Sequence, residues 1–458
     1  MSVILNPDAE VLWRGEAVNM SRVLDALEGI RAKFAREEAG DQEHVHPRNC
    51  VMTLIAVATT PEEERRAERT CRLIGVGHPA QAIVIREDNT LHGNHIDAWI
   101  TADTQRPAMS CAVECEIVTL HVRSAAADHL AALVDPLLVS GVPTYLWFVG
   151  TPPFGRREID EGLAICDALV VDSARFDEPY KSFRALSKVA MHAHTKLGLG
   201  DLQWSRLRPW REAIAQFFTP RDRRHFLGGI AEVGIDYEGD GRGNRIAAAL
   251  LAGWIASALG WNIKRAAAGT GGVVVVYYEV GGRTVEVQFR SVAKQHLAAG
   301  ELSAVRIAGT SLGATFRLAV QRDPNRPRNT SNGNGYRVVH PTEGEDDAGL
   351  ELAERRAEWH RGVLHENLSA LHHNATGDPP GESRPKHPVV FSRERRGTDT
   401  AQVLLTMIEI GQGAPLRHVQ QVEPEDEAAL LLDVLSSGTH DTVFARSLEA
   451  ASDLMHRL

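Results

Sequence analysis

Apolar positions along the chain change period from segment to segment, and those changes outline its elements. Residues 17–38 carry Met20, Val23, Leu24, Leu27, Ile30 and Phe34 at helical spacing, which predicts an amphipathic helix. CVMTLIAVATT then forms an unbroken apolar run, the pattern of a strand buried on both faces. Pro61 followed by EEERRAERTCRLIG opens a helix, since proline suits the first turn and acids suit its N-terminal dipole. AQAIVIRED reads as a strand, and HIDAWITAD with MSCAVECEIVTLHV as an antiparallel pair. ADHLAALVDPLL (helix), VPTYLWFVG and ALVVDS (strands) and PYKSFRALSKVAMHAHTK (helix) follow. Strands alternating with helices predict an α/β fold, a Rossmann-like, mixed or mostly parallel sheet with flanking helices over residues 1–220.

A second, α+β domain is expected to begin at residue 221, after PWREAIAQFF and the break TPRDRR. It opens with strand AEVGIDYE and helix RIAAALLAGWIASALGW. VVVVYYEVGGRTVEVQFR predicts a hairpin turning at Gly281-Gly282, and ELSAVRIAG and ATFRLAVQR supply two more strands up to residue 321. Residues 322–400 read as a polar insertion or linker holding one helix, with Leu350, Ala353, Ala357, Leu364, Leu368 and Leu371 on one face. VVFSR is a further strand. The stretch 401–458 offers strand AQVLLTMIEI and two helices, EPEDEAALLLDVL and DTVFARSLEAASDLM, expected to complete the second domain.

Composition narrows the function. Of 458 residues, 43% are hydrophobic and 24% charged, the balance of a soluble globular protein. A net charge of -10 argues against a nucleic-acid partner, and no apolar run reaches the roughly 18 residues of a membrane span. The first residues show no export signal, so a cytoplasmic location is expected. The cysteines are Cys50, Cys71, Cys111, Cys115 and Cys166. On a strand Cys111 and Cys115 would stand roughly 13 Å apart, too far for a disulfide, so core packing is the expectation for them.

The search for chemistry returns little. EGDGRGNR (238–245) lies between a strand and a helix but lacks both the GxGxxG pattern and a GK[ST] ending, and GTGG (269–272) precedes a strand, the wrong order for a dinucleotide loop. His44, His46 and Cys50 form a loop triplet with no CxxC or HExxH, so no metal is expected; nor is any cofactor. No catalytic residue emerges: Ser173, in VVDSARF, has no base that the sequence identifies. Two boxes stand out. PTYLWFVGTPPFG (143–155) carries Trp147 and Phe154, and DLQWSRLRPWREAIAQFF (201–218) packs Trp204, Arg206, Arg208, Trp210 and Arg211 into eight residues. Trp and Arg concentrate binding energy at interfaces, which makes these seven the candidate partner-binding residues; tryptophans as core anchors with a solvated arginine rim is the competing reading.

HPAQAIVI (78–85), PTYLWFVGTPPFG, LVVDSARF (169–176), DLQWSRLRPWREAIAQFF and ALLAGWIASALGW (249–261) together resemble the glucose-6-phosphate dehydrogenase assembly protein family, OpcA. RNCVMTLIAV and LLLDVLSSGTHDTVFARSLEAA resemble the family's ends, so the likeness runs along most of the chain. The resemblance implies a non-catalytic cytoplasmic assembly factor and allosteric activator that binds glucose-6-phosphate dehydrogenase, the NADPH-producing enzyme of the oxidative pentose phosphate pathway, and promotes its active oligomer. In photosynthetic relatives it implies a cysteine link to thioredoxin, against which the strand reading of Cys111 and Cys115 speaks. The 322–400 region is longer and more polar than the family pattern. A sugar-phosphate or nucleotide-binding enzyme using the 238–245 turn and the 204–211 box is the alternative.

Overall fold

The computed structural model describes residues 11–39, 50–75, 78–88, 96–103, 115–122, 129–192, 197–239, 244–269, 272–293, 297–323, 402–422, 426–436 and 441–457. His44, His46, Cys111, Gly241, Gly243, the helix expected at 350–371 and the VVFSR strand lie outside them. The chain forms two compact units, the larger drawn from Leu5–Pro209, Ala231–Ile307 and Pro424–Leu458, the smaller from Trp210–Ile230 and Ala308–Glu423.

The larger unit contains the first sheet: β1 (Val11–Val18), β2 (Met52–Ala58), β3 (Ala80–Glu87), β4 (Ile96–Asp103), β5 (Cys115–Val122), β6 (Thr144–Phe148), β7 (Ala168–Val171) and β8 (Gly198–Asp201). Their order is β1-β4-β5-β3-β2-β6-β7-β8. The six strands from β5 to β8 are parallel, while β4 runs antiparallel to β5 as its sequence predicted, with Ile100 opposite Val118. From β2 the chain steps outward to β3 and β5, returns to β6 beside β2, and continues to β7 and β8. That is the doubly wound 3-2-1-4-5-6 order, with its reversal between β2 and β6. Every residue of β2 is buried, as a strand covered on both faces must be. The edge strand β1 escapes sequence reading: VLWRGEAV is broken by register shifts and by Ala17 at φ 51.

Helices α1 (Met20–Ala39), α2 (Pro61–Gly75), α3 (Leu130–Val134), α4 (Arg157–Ile165), α5 (Pro179–His192) and α6 (Leu202–Arg206) flank or follow these strands. Helix α2 starts with a reciprocal capping box: Glu63 N donates to Thr60 Oγ1 (3.2 Å) and Thr60 N donates to Glu63 Oε2 (3.2 Å). Helix α7 (Arg208–Phe218) and strand β9 (Ile230–Glu238) lead into α8 (Ile246–Leu259), β10 (Asn262–Ala268), β11 (Val274–Val280), β12 (Arg283–Val292), β13 (Leu302–Ser311), β14 (Ala314–Arg322), β15 (Gln402–Ile410) and β16 (Leu416–Val422). In the second sheet β10-β11-β12-β9 and β13 as far as Ile307 fall in the larger unit, and the end of β13 with β14-β15-β16 in the smaller. The Gly281-Gly282 hairpin is present: both glycines have positive φ, 53° and 77°, and Val280 pairs with Arg283. In the smaller unit Phe217, Phe218, Phe226 and Phe316 form one aromatic cluster.

The closing helices are α9 (Glu427–Ser436) and α10 (Thr442–Arg457). Ala428, Leu430 and Leu431 of α9 share one core cluster with Leu54, Ala67, Ala82, Trp147 and Leu202, so α9 finishes the core of the first sheet, although 401–458 was expected to complete the second domain. Helix α10 crosses α8 at Gly253, where an added Cβ would stand 2.5 Å from Ser447 O and 2.8 Å from Ala451 N. Both are backbone atoms, so neither can swing away. Gly253→Ala should therefore lower stability by about 1–3 kcal/mol, the usual cost of overpacking, read as a shifted urea midpoint.

Candidate functional site

The structure separates the seven candidate residues by environment. Trp147 on β6 is wholly buried and belongs to the core cluster. Phe154 is half-buried, edge-on to Phe176 at 6.2 Å between centroids. Trp204 on α6 is buried against Phe444, and its indole N–H donates to Asp441 Oδ2 (3.0 Å). Arg206 forks onto Asp172, with Nη1 and Nη2 at 2.6 and 2.8 Å from the two carboxylate oxygens. Arg208 pairs with Asp433 of α9. In the smaller unit Trp210 is buried beneath the Arg322 guanidinium, 5.9 Å from its ring centre, and Arg211 is half-buried. The three tryptophans are core anchors. Arg206 and Arg208 are committed to internal acids, and together with Trp204 they fasten the 201–208 segment to Asp172 and to the closing helices.

Around them lies a network that sequence reading did not find. Asp172 directly follows β7 and Asp201 ends β8, so the parallel sheet delivers both carboxylates to its carboxyl edge. Asp201 accepts hydrogen bonds from Ser173 Oγ (2.6 Å), Ser173 N (3.0 Å) and Gln203 N (2.9 Å). Arg175 adds a second guanidinium to Asp172 at 3.1 Å. Glu427, the first residue of α9, meets Arg66 at 3.1 Å, Thr70 Oγ1 at 3.4 Å and Arg175 at 3.9 Å. The Asn244 amide donates to Ser173 O (3.0 Å), which ties the residue two before α8 to the same corner.

These charges titrate differently. Burial alone would raise the Asp172 carboxyl, but Arg206 and Arg175 outweigh it and hold it below the usual carboxylate range. For Asp201 burial prevails over its hydrogen bonds, and the carboxyl is pushed up to about 6. Burial likewise raises Glu427 against the pull of Arg66 and Arg175. The signal available in sequence was an acid closing each of two short apolar strands, ALVVD and GLGD, and it became readable only once those strands were known to be neighbours.

The reversal point between β2 and β6 is where an open α/β sheet presents a helix N-terminus to a ligand's phosphates. Here the chain fills that place itself. Glu63 Oε2 accepts from Thr59 N (2.7 Å), Thr59 Oγ1 (2.9 Å) and Thr60 N (3.2 Å). Across the crevice Gly150 follows β6, and its missing Cβ leaves the space that the Glu63 carboxylate occupies. Two backbone amides just ahead of α2 thus already hold a carboxylate.

Two of the described cysteines are held as thiols by burial. Cys71 and Cys115 are buried, with Cys115 Sγ 3.6 Å from Cys71 O. Burial pushes the Cys71 and Cys166 thiols to about 12, which keeps both protonated and poor nucleophiles for disulfide exchange. Among the described residues no group of His, Cys, Asp and Glu converges as a metal site, and no helix is long and apolar enough to cross a membrane.

Two outcomes follow from the network. Arg206→Gln leaves the Asp172 carboxylate, 1% exposed, with Arg175 as its one guanidinium among the described residues and should cost up to about 3–5 kcal/mol of unfolding free energy in urea titrations. The Asp201 carboxyl lies above its unfolded value of about 3.9, so its stabilising contribution is complete below that pH and is lost as pH rises through about 6. Asp201→Asn removes that dependence. Its melting temperature relative to the native chain should rise between pH 4 and pH 6.5 and level off above, as read by thermal melts across that range.

Comparison with known proteins supplies the family. Two domain models of the glucose-6-phosphate dehydrogenase subunit match this chain, its C-terminal domain at residues 197–448 and its N-terminal domain at residues 66–188. Relatives named OxPP cycle protein OpcA are 30% identical over 237 residues in Nostoc punctiforme (52% of this chain, 47% of that one) and 32% identical over 157 residues in Synechocystis (34% and 32%). The chain thus spans about half or less of the length of the curated relatives it matches. Among solved structures, the yhhX oxidoreductase aligns with a TM-score of 0.37 at 10% identity (89% of this chain, 96% of that one). An oxidoreductase from Parabacteroides merdae aligns with 0.38 at 8% (90% and 98%). With a domain model covering more than half of its residues, the chain belongs to the OpcA family of glucose-6-phosphate dehydrogenase subunits.

Proposed function

We propose that this protein is a non-catalytic, cytoplasmic partner of glucose-6-phosphate dehydrogenase that stabilises the enzyme's active oligomer. The observation that carries the reading is the carboxylate of Glu63 in the crevice where a sheet of this order would take a dinucleotide, in a chain whose family is named for that dehydrogenase. A chain that seats its own carboxylate there has no vacant phosphate cradle with which to run the redox step. Its route to influence is then thermodynamic: a partner that binds the active form tenfold more tightly than the inactive form shifts that equilibrium tenfold. The buried tryptophans and the Arg206–Asp172 and Arg208–Asp433 pairs support the shape of the binding surface, while the half-buried Phe154 and Arg211 and the outward parts of Arg206 and Arg208 are the members of the set able to touch a partner.

The test is NADPH formation by the cognate dehydrogenase with and without the purified chain, run beside size-exclusion chromatography. Activity should rise several-fold and the two proteins should elute together. Millimolar NADP alone should leave the melting temperature of the chain unchanged, because a ligand that prefers the folded state raises it. A rise with NADP and no effect on the dehydrogenase would replace this reading with that of a nucleotide-binding enzyme.

A further inference from the structure

A sheet ends in two outer strands, and each outer edge offers a row of N–H and C=O groups to any extended chain that reaches it. Among the described residues three of the four such edges are blunted. Strand β1 is broken by two register shifts, holds Ala17 at φ 51 and exposes Arg14 and Glu16. Strand β8 has only four residues. Strand β10 carries a register shift between Ile263 and Arg265, with the exposed Lys264 inside it. Bulges, short length and charge are the usual means of keeping an edge from pairing.

Strand β16, last in the second sheet, carries almost none of this protection. Its seven residues, LRHVQQV, pair one to one with β15, from Leu416 opposite Ile408 to Val422 opposite Gln402, without a shift. It contains one arginine and no lysine, acid, proline or glycine. Leu416 is 53% and Val419 62% exposed, and Arg417 and His418 are exposed with them. Among the described residues no strand pairs with its outer side.

The composition of the strand says what fits beside it. Antiparallel pairing with a second copy about a two-fold axis at Val419, the middle residue, uses all seven positions. Val419 then meets its own counterpart, Leu416 meets Val422, Arg417 meets Gln421 and His418 meets Gln420. Apolar residues face apolar ones, the two nitrogen bases face amides, and no like charges are opposed. Centring the pair on His418 or on Gln420 leaves two residues at one end of the strand with no strand opposite them. An axis perpendicular to the sheet also keeps opposed residues on one face, so β14-β15-β16 runs on into its copy as six strands.

We propose that β16 is an interface with a second copy of this chain, the two edges pairing antiparallel about Val419 into one continuous sheet. The inference stands apart from the proposed function, since it concerns this chain alone. An edge serving a strand of other sequence has no need to be complementary to itself.

The test is sedimentation velocity of the full chain across the micromolar range, with Val419→Lys and Val419→Glu beside it. Val419 is exposed, so both variants should fold, which circular dichroism and melting curves establish. The native chain should pass from one to two chains per particle as concentration rises, and amide exchange in 416–422 should slow with it. Each variant sets like charges face to face at the axis and should raise the dimer dissociation constant by about tenfold or more. An equimolar mixture sets Lys against Glu and should restore the dimer. A native chain that stays monomeric throughout, or variants that associate as the native chain does, would overturn the proposal. So would a mixture that remains monomeric when each variant alone has lost the dimer. If the native chain alone were monomeric and both variants lost a complex with the dehydrogenase, the edge would belong to that partner and the self-pairing would fall.

Discussion

A carboxylate taken out of water at the end of a strand has to be paired, and much of the larger unit follows from how Asp172 meets that requirement. At 1% exposure an unpartnered charge there would cost several kcal/mol. Arg206 answers from α6 with two bonds and Arg175 from the turn after β7 with a third, so the carboxyl ends of β7 and β8 are fixed to the segment that follows them. Arg175 also faces Glu427, Glu427 faces Arg66, and through these contacts the first turn of α9 is joined to α2. The apolar residues of α9 can then close the core over β2 and β6. Trp204 and Arg208 repeat the fastening at Asp441 and Asp433. What the sequence displays as an aromatic and basic box is largely the internal clasp of the chain's last helices.

The reversal point of the first sheet shows how a helix N-terminus can be satisfied from within the chain. A helix N-terminus offers unpaired N–H groups and a positive dipole end, and any anion satisfies them. Glu63 is such an anion, supplied by the helix itself through an ordinary capping box, with Gly150 leaving it room. No rearrangement of strands is required for that. A carboxylate three residues into a helix is enough.

How much of this the sequence disclosed depends on the range of the interaction. Period and punctuation are local, and they gave the helix at 17–38, the buried β2, the antiparallel β4–β5 pair and the two-glycine hairpin. The edge strand β1 was hidden because its bulges break the two-residue alternation. The destination of α9 was hidden for another reason: an amphipathic helix records that it has an apolar face, not which core receives it, whereas α10 packs on α8 within the region expected for it. The same limit applies to the box. Trp and Arg at close spacing suit a core clasp and a partner surface equally, and what separates them is the acid each arginine meets, which lies far away in sequence, as Asp172 does for Arg206 and Asp433 for Arg208.

Both sheets use arginine forks on a strand carboxylate, and in both the fold supplies partners that are distant in sequence. At the first, Asp172 receives Arg206 and Arg175, and Arg175 passes the connection on to Glu427 and so to Arg66. At the second, Asp236 on β9 receives Arg290 from β12 and Arg306 from β13, so one carboxylate ties three neighbouring strands. A carboxylate has about four lone-pair sites, and two forks fill them. The charge of the two arginines is met along the same face, where Glu238 stands two residues from Asp236 and Glu232 lies opposite Glu286. In each place the demand of one buried carboxylate is answered across elements that only the fold brings together, which is why neither fork could be read from spacing.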